Sequence, residues 1–165
     1  MHIPETRREP LPYEVLGLGA ACMDLIIQVS EDFLDSIPGE KGGSQPIDFE
    51  GLNRIIQESG KEPYISTGGS CANAIKGLTN LGAKCAFLSK TGSDPLGGHF
   101  KTYLNQLGIV PLLSEGSRPT TRVLCLVTPD GQRTMRFFLG SSQEMSEHNL
   151  HADYLRGIKI VHIES

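Results

Sequence analysis

A chain of 165 residues is long enough to bury one core but short for two independent domains. Its 38% hydrophobic and 21% charged content excludes a disordered or fibrous protein, and a net charge of −4 with scattered Lys and Arg excludes a basic nucleic-acid-binding stripe. No apolar run approaches the roughly 20 residues a membrane helix needs, and Cys22, Cys71, Cys85 and Cys125 stand far apart without metal-ligand spacing, the pattern of small core residues in a reducing cytoplasm.

Residues 1–12 are polar, carry Pro4, Pro10 and Pro12, and read as a flexible lead-in without the apolar core of a secretory signal. Residues 13–165 read as one α/β unit. Tyr13–Gly19 is a short apolar run ending in glycine, the pattern of a buried strand, and Asp24–Val29 is strand-like again. So few residues between them leave no room for a crossover helix, so the second strand must leave the first sheet or pair antiparallel. Glu31–Ser44 reads as loop. Asp48 is placed to cap a helix over Phe49–Glu58, closed by Gly60. Tyr64–Thr67 predicts a strand that runs into Gly68-Gly69-Ser70, followed by a helix over Cys71–Leu81 with Ala74, Ile75, Leu78 and Leu81 at helical spacing.

Lys84–Ser89 returns as a strand. Thr91–Pro95 is a turn that opens a helix over Leu96–Leu107, with Gly108 at its end. Three β-rich pieces follow, Ile109–Leu113, Arg122–Thr128 and Arg133–Leu139, the last two joined by the turn residues Pro129-Asp130-Gly131. A short helix over Ser146–Leu155 leads to a final strand, Ile158–Ile163. Alternating strands and helices predict a mostly parallel sheet with helices on both faces, and the extra strand pairs a smaller β layer.

The chemistry concentrates at Ser66–Ala74. A diglycine between strand and helix lets backbone amides approach a ligand with no Cβ in the way. Asn73, one turn into the helix, shares a side with Gly69 and Ser70, and its amide both donates and accepts, as a sugar hydroxyl does. Asp24 follows the glycine-ended first strand, where open α/β sheets bind ligands, and a carboxylate there can accept from two neighbouring hydroxyls. Taken singly, Asp24 also fits a turn cap and Asn73 a solvated helix residue.

Gly17-x-Gly19-x-x-x-x-Asp24, Gly68-Gly69-Ser70-x-x-Asn73, Leu81-Gly82-Ala83 and Gly92-x-Asp94-x-x-Gly97 keep one order and spacing. Together they resemble the first half of the ribokinase-like (PfkB) carbohydrate and nucleoside kinases. The run Thr128–Met135 with Phe138-Leu139-Gly140 resembles the bacterial adenosine-kinase-like branch. The resemblance implies a ribokinase-like fold whose β-rich pieces form a lid over the sugar and pair two subunits as a homodimer. It implies an ATP- and Mg2+-dependent kinase acting on a small sugar or nucleoside, adenosine or ribose-like. Asp24, Gly68, Gly69 and Asn73 would hold the sugar, and Glu164 matches an acidic position that approaches it. Arg133 falls where a relative carries an arginine near the transferring phosphate, and Met135 and Phe137 where that branch lines its base pocket. Arg133 also fits an ordinary surface charge, and Met135 and Phe137 ordinary strand packing. Ala20 and Cys22 stand where relatives carry hydroxyl-binding asparagines.

In this family the catalytic base is the last Asp of a D-T-x-G-A-G-D segment, and no such segment occurs in these residues. The resemblance therefore implies a truncated, N-terminal half that lacks the ATP site, folds poorly and is inactive alone. Two other readings stay open: a dinucleotide-binding turn at Gly17-x-Gly19, against which Cys22 stands in place of the third glycine, and a non-catalytic sugar- or nucleoside-binding module. A phosphate-loop nucleotidase lacks its G-x-x-x-x-G-K-[ST].

Overall fold

A computed structural model describes residues 12–164. Apart from Pro12, the expected lead-in lies outside the described residues.

Two sheets share the work. The first is parallel, in the order β6-β5-β1-β9, with β1 at Val15–Leu18, β5 at Cys85–Gly92, β6 at Val110–Gly116 and β9 at Ile160–Ile163. On one face Val15, Cys85 and Phe87 pack under helices α3 (Ser70–Asn80) and α4 (Pro95–Gln106), contributing Ile75, Phe100 and Leu104 to the core. On the other face Leu16, Ala86 and Leu88 are covered by Met145, Tyr154 and Ile158 from 3-10 turns. The helix expected over Ser146–Leu155 is therefore absent. Asn149 turns its side-chain oxygen back on the Ser146 amide, 3.0 Å away, and such local bonds compete with a helical ladder.

The second sheet runs β3-β8-β7-β2-β4: β3 is Ser44–Pro46, β8 Arg133–Phe138, β7 Thr121–Val127, β2 Cys22–Gln28 and β4 Tyr64–Gly68. Of the two outcomes the short β1–β2 connection allows, β2 takes departure from the first sheet; it pairs antiparallel with β4 and parallel with β7. The stretch 109–113, expected among the β-rich lid pieces, instead forms the edge of the parallel sheet as part of β6. The segment read as loop, Glu31–Ser44, holds a one-turn helix, α1 (Glu31–Asp35), capped by Ser30, and reaches into β3. Helix α2 (Phe49–Ser59) forms as expected, with the Asp48 carboxylate accepting from the Gly51 amide at 2.6 Å and Gly60 left-handed at φ 62°.

Side chains alternate across a strand, and this decides which face of the second sheet is closed. Leu25, Ile27, Leu124 and Leu126 face Leu34, Leu52 and Ile55 of α1 and α2 in one buried cluster. Asp24, Val123 and Phe137 are register partners in one row, Ile26, Cys125 and Met135 in the next, and both rows lie on the opposite, open face.

The two sheets are joined at Asp94. Its carboxylate caps α4 through the Gly97 amide at 2.9 Å and accepts from the Thr120 amide and hydroxyl at 2.9 and 2.7 Å and from Arg122 at 3.0 Å, tying α4 to the start of β7. Arg122 also lies 4.7 Å over the Phe49 ring of α2.

Candidate functional site

Asp24 sits mid-strand in β2, with its carboxylate leaning across Gly68 on neighbouring β4. A Cβ built on Gly68 would fall 2.5 Å from both Cγ and Oδ1 of Asp24, so the missing side chain is what admits the carboxylate. Gly69 has φ +92°, a left-handed conformation that favours glycine, and a Cβ there would meet the Ala20 carbonyl at 3.0 Å. The diglycine thus serves two needs, space at Gly68 and backbone conformation at Gly69. It launches α3 against the β1–β2 junction, where Cys71 Sγ donates to the His162 carbonyl at 3.6 Å.

Asn73 lies in the first turn of α3, its amide donating to the Gly69 carbonyl at 2.9 Å, with its side chain exposed. No hydrogen bond joins Asn73 to Asp24 among the described residues. Glu164 is held beside the junction by its amide, which donates to the Leu18 carbonyl at 3.1 Å, and its carboxylate lies 2.9 Å from His162 Nε2. Met135 and Phe137 share the open face with Asp24, and Arg133, exposed two residues before Met135, acts electrostatically on the same carboxylate.

Burial pushes the Asp24 carboxyl above the ordinary carboxylate range; the Cys22 thiol, Lys76 and Arg133 pull it back only in part. Burial, and then the Asp24 charge, push the Cys22 thiol far up, and burial followed by Glu164 takes Cys71 up to about 11. Both thiols are thereby held in the protonated form, and that of Cys22 donates to Asp24 Oδ1 at 3.8 Å. Lys76, which sequence reasoning passed over, donates to the Thr67 carbonyl at 2.9 Å and hydroxyl at 3.3 Å, and burial lowers its pKa against the pull of Asp24. Its clue in the sequence was its place one helical turn beyond Asn73.

The arrangement is one carboxylate on a sheet face shared by Ile26, Val123, Cys125, Met135 and Phe137 with the polar Ser66, Gln28 and Arg133, next to a glycine-opened helix start. Such a face can accept hydrogen bonds from adjacent hydroxyls while apolar neighbours exclude water. Among the described residues no group of three or more His, Cys, Asp or Glu gathers to hold a metal ion.

The model of the pfkB family carbohydrate kinases matches residues 43–165. The chain belongs to this family. Curated pfkB relatives include the probable fructokinase-5 of Arabidopsis thaliana, 29% identical over 150 residues, and fructokinase-2 of Solanum lycopersicum, 28% identical over 153. The matches cover 86% and 89% of this chain but 41% and 42% of those proteins. Among solved structures, an adenosine kinase from Sinorhizobium meliloti superposes with TM-score 0.81 at 27% identity, covering 92% of this chain and 47% of that one. A probable sugar kinase from Rhizobium etli gives 0.82 at 28%, covering 92% and 46%. The α/β architecture is therefore ribokinase-like, and the chain spans under half the length of these relatives.

Proposed function

We propose that this chain supplies the substrate-binding half of an ATP-dependent sugar or nucleoside kinase, with Asp24 as the acceptor for adjacent ring hydroxyls. The observation that carries the reading is the Asp24 carboxylate seated over Gly68, on the open sheet face beside the Gly69-opened helix. Gly68 and Gly69 give the ring close approach to backbone. Asn73 and Glu164 border the same helix start and strand end. Met135 and Phe137 offer apolar surface to a ribose-like or nucleoside ligand, and Arg133 a positive charge for a phosphate arriving at the edge.

Phosphoryl transfer needs a base to receive the hydroxyl proton and preorganised amides or cations around the moving phosphate. Burial keeps Asp24 protonated to higher pH than an ordinary carboxylate, and a carboxyl oxygen accepts from a hydroxyl in either protonation state. The D-T-x-G-A-G-D segment does not occur in these 165 residues, and we assign them binding without transfer. Buried, unpaired cysteines suit a cytoplasmic setting. Helices α1 and α2 cover the outer face of the second sheet, so we assign subunit pairing through this lid to the β4 edge, where Tyr64 is 71% exposed.

Isothermal titration with ribose, fructose and adenosine tests the reading. Saturable heat with at least one of them, lost in Asp24→Asn, is expected; equal binding by wild type and Asp24→Asn would refute it. Incubation with ATP and the bound ligand is expected to give no phosphorylated product.

A further inference from the structure

Lys76 stands where a cation is disfavoured, and the hydroxyl-binding assignment makes no use of it. It lies in α3 three residues beyond Asn73, on the same side of the helix, and a long helical side chain runs back toward the helix start. There its ammonium donates to the carbonyl of Thr67 at 2.9 Å and to its hydroxyl at 3.3 Å, on the residue just before the diglycine. The Tyr103 ring of α4 lies 5.7 Å from the same ammonium.

The positive end of a helix repels a cation, and at α3 no side chain caps that end, because Gly69 stands at the cap. Burial adds to the cost. The carboxylate that answers this charge is Asp24, which leans over Gly68, one residue on from the Thr67 atoms that Lys76 holds. The ionisable groups facing Asp24 are Cys22 on its own strand, Cys125 on β7, Arg133 on β8 and Lys76 on α3; its β4 neighbours Ser66 and Gly68 carry no charge. Burial holds both thiols protonated. Arg133 is exposed and screened by solvent, whereas the half-buried Lys76 keeps more of its effect.

We propose that Lys76 is a positioning residue for the hydroxyl-binding carboxylate: it pins the strand end beside which Asp24 rests and supplies the positive charge that balances it. The inference rests on the assignment of Asp24 to ligand hydroxyls. Its two parts are separable, because pinning Thr67 needs only a donor, while balancing Asp24 needs a charge.

Carbon-13 NMR titration of the Asp24 carboxyl, together with calorimetric titration with ribose, fructose and adenosine, tests the proposal. Lys76→Met removes donor and charge; the Asp24 midpoint should move up, since a cation favours the carboxylate, and binding should weaken roughly threefold to thirtyfold. Lys76→Gln keeps a donor for Thr67 without the charge and should show the same upward move. Lys76→Arg keeps the charge and should hold the midpoint near wild type, and Arg133→Gln should move it less than Lys76→Met. Where Lys76→Met fails to fold, Lys76→Gln decides. A midpoint at the wild-type value in Lys76→Gln, or equal binding by wild type and Lys76→Met, overturns the proposal. Equal binding by wild type and Asp24→Asn refutes the hydroxyl assignment instead, and the midpoints still decide whether Lys76 balances Asp24.

Discussion

Gly68→Ala is the perturbation whose consequence follows most directly from the geometry. The added Cβ would lie 2.5 Å from Cγ and Oδ1 of Asp24, so one of the two must move. Gly68 has no positive φ, so its backbone accepts alanine, and chain entropy favours the change by about 0.4–1 kcal/mol. Overpacking costs about 1–3 kcal/mol, leaving a net loss of roughly 1–2 kcal/mol. Relief comes by turning the carboxylate off Gly68, which removes a charged acceptor from the hydroxyl site. A lost hydrogen bond of that kind weakens binding by about 1.5–3 kcal/mol, roughly tenfold to a hundredfold in Kd. Urea denaturation and calorimetric titration of wild type, Gly68→Ala, Asp24→Ala and the double variant form a thermodynamic cycle. The stability cost of Gly68→Ala should largely vanish in the Asp24→Ala background. A cost equal in both backgrounds, or an unchanged Kd in Gly68→Ala, would refute the reasoning.

Further outcomes follow from the same contacts. Asp94 is partly buried, which works against its carboxylate, but the bonds from Thr120, the Gly97 and Thr120 amides and Arg122 outweigh this and hold it below the ordinary 3.8. Its stabilisation is therefore complete above pH 3.8 and is lost as pH falls through the lower folded value, so the stability gap to Asp94→Asn should narrow in acid denaturation. Gly69→Ala forces φ +92° on a residue with a Cβ and should destabilise by about 1–2 kcal/mol, read by urea midpoints. All four cysteines are buried, so labelling with a thiol reagent at pH 8 should be slow in the native state and stoichiometric only on unfolding. Edge strand β9 exposes Ile160, Val161 and Ile163, the last at 64%, and Val161→Lys should reduce self-association in sedimentation velocity.

What could be read from the sequence was what is local. The Asp48 cap, the turn that opens α4, the left-handed closure at Gly60 and the diglycine before α3 depend on neighbours within a few residues, and each appears where the spacing places it. The departure of β2 from the first sheet was legible as one of two outcomes, antiparallel pairing being the other, because chain length alone forbids a crossover. Partner choice between distant strands was not. Nothing in 109–113 says that its hydrogen bonds go to β5 and not to the lid strands, because both environments suit an apolar run. The order of Asp24 and the glycines suggests a ligand group, but the specific need for Gly68, space for the Asp24 carboxylate, appears only once β2 and β4 are side by side. Lys76 offered only its place one helical turn beyond Asn73; its importance comes from burial, which turns an ordinary surface cation into a charge that must be answered.

The central claim is that adjacent ring hydroxyls are held by Asp24 beside the Gly68–Gly69 helix start. A crystal structure of the chain with ribose or adenosine bound tests it most directly. The account predicts two hydroxyl oxygens at about 3 Å from the Asp24 carboxylate, with the ring against the diglycine. A ring bound with Asp24 facing empty solvent, or seated on the opposite face of the second sheet, would contradict it.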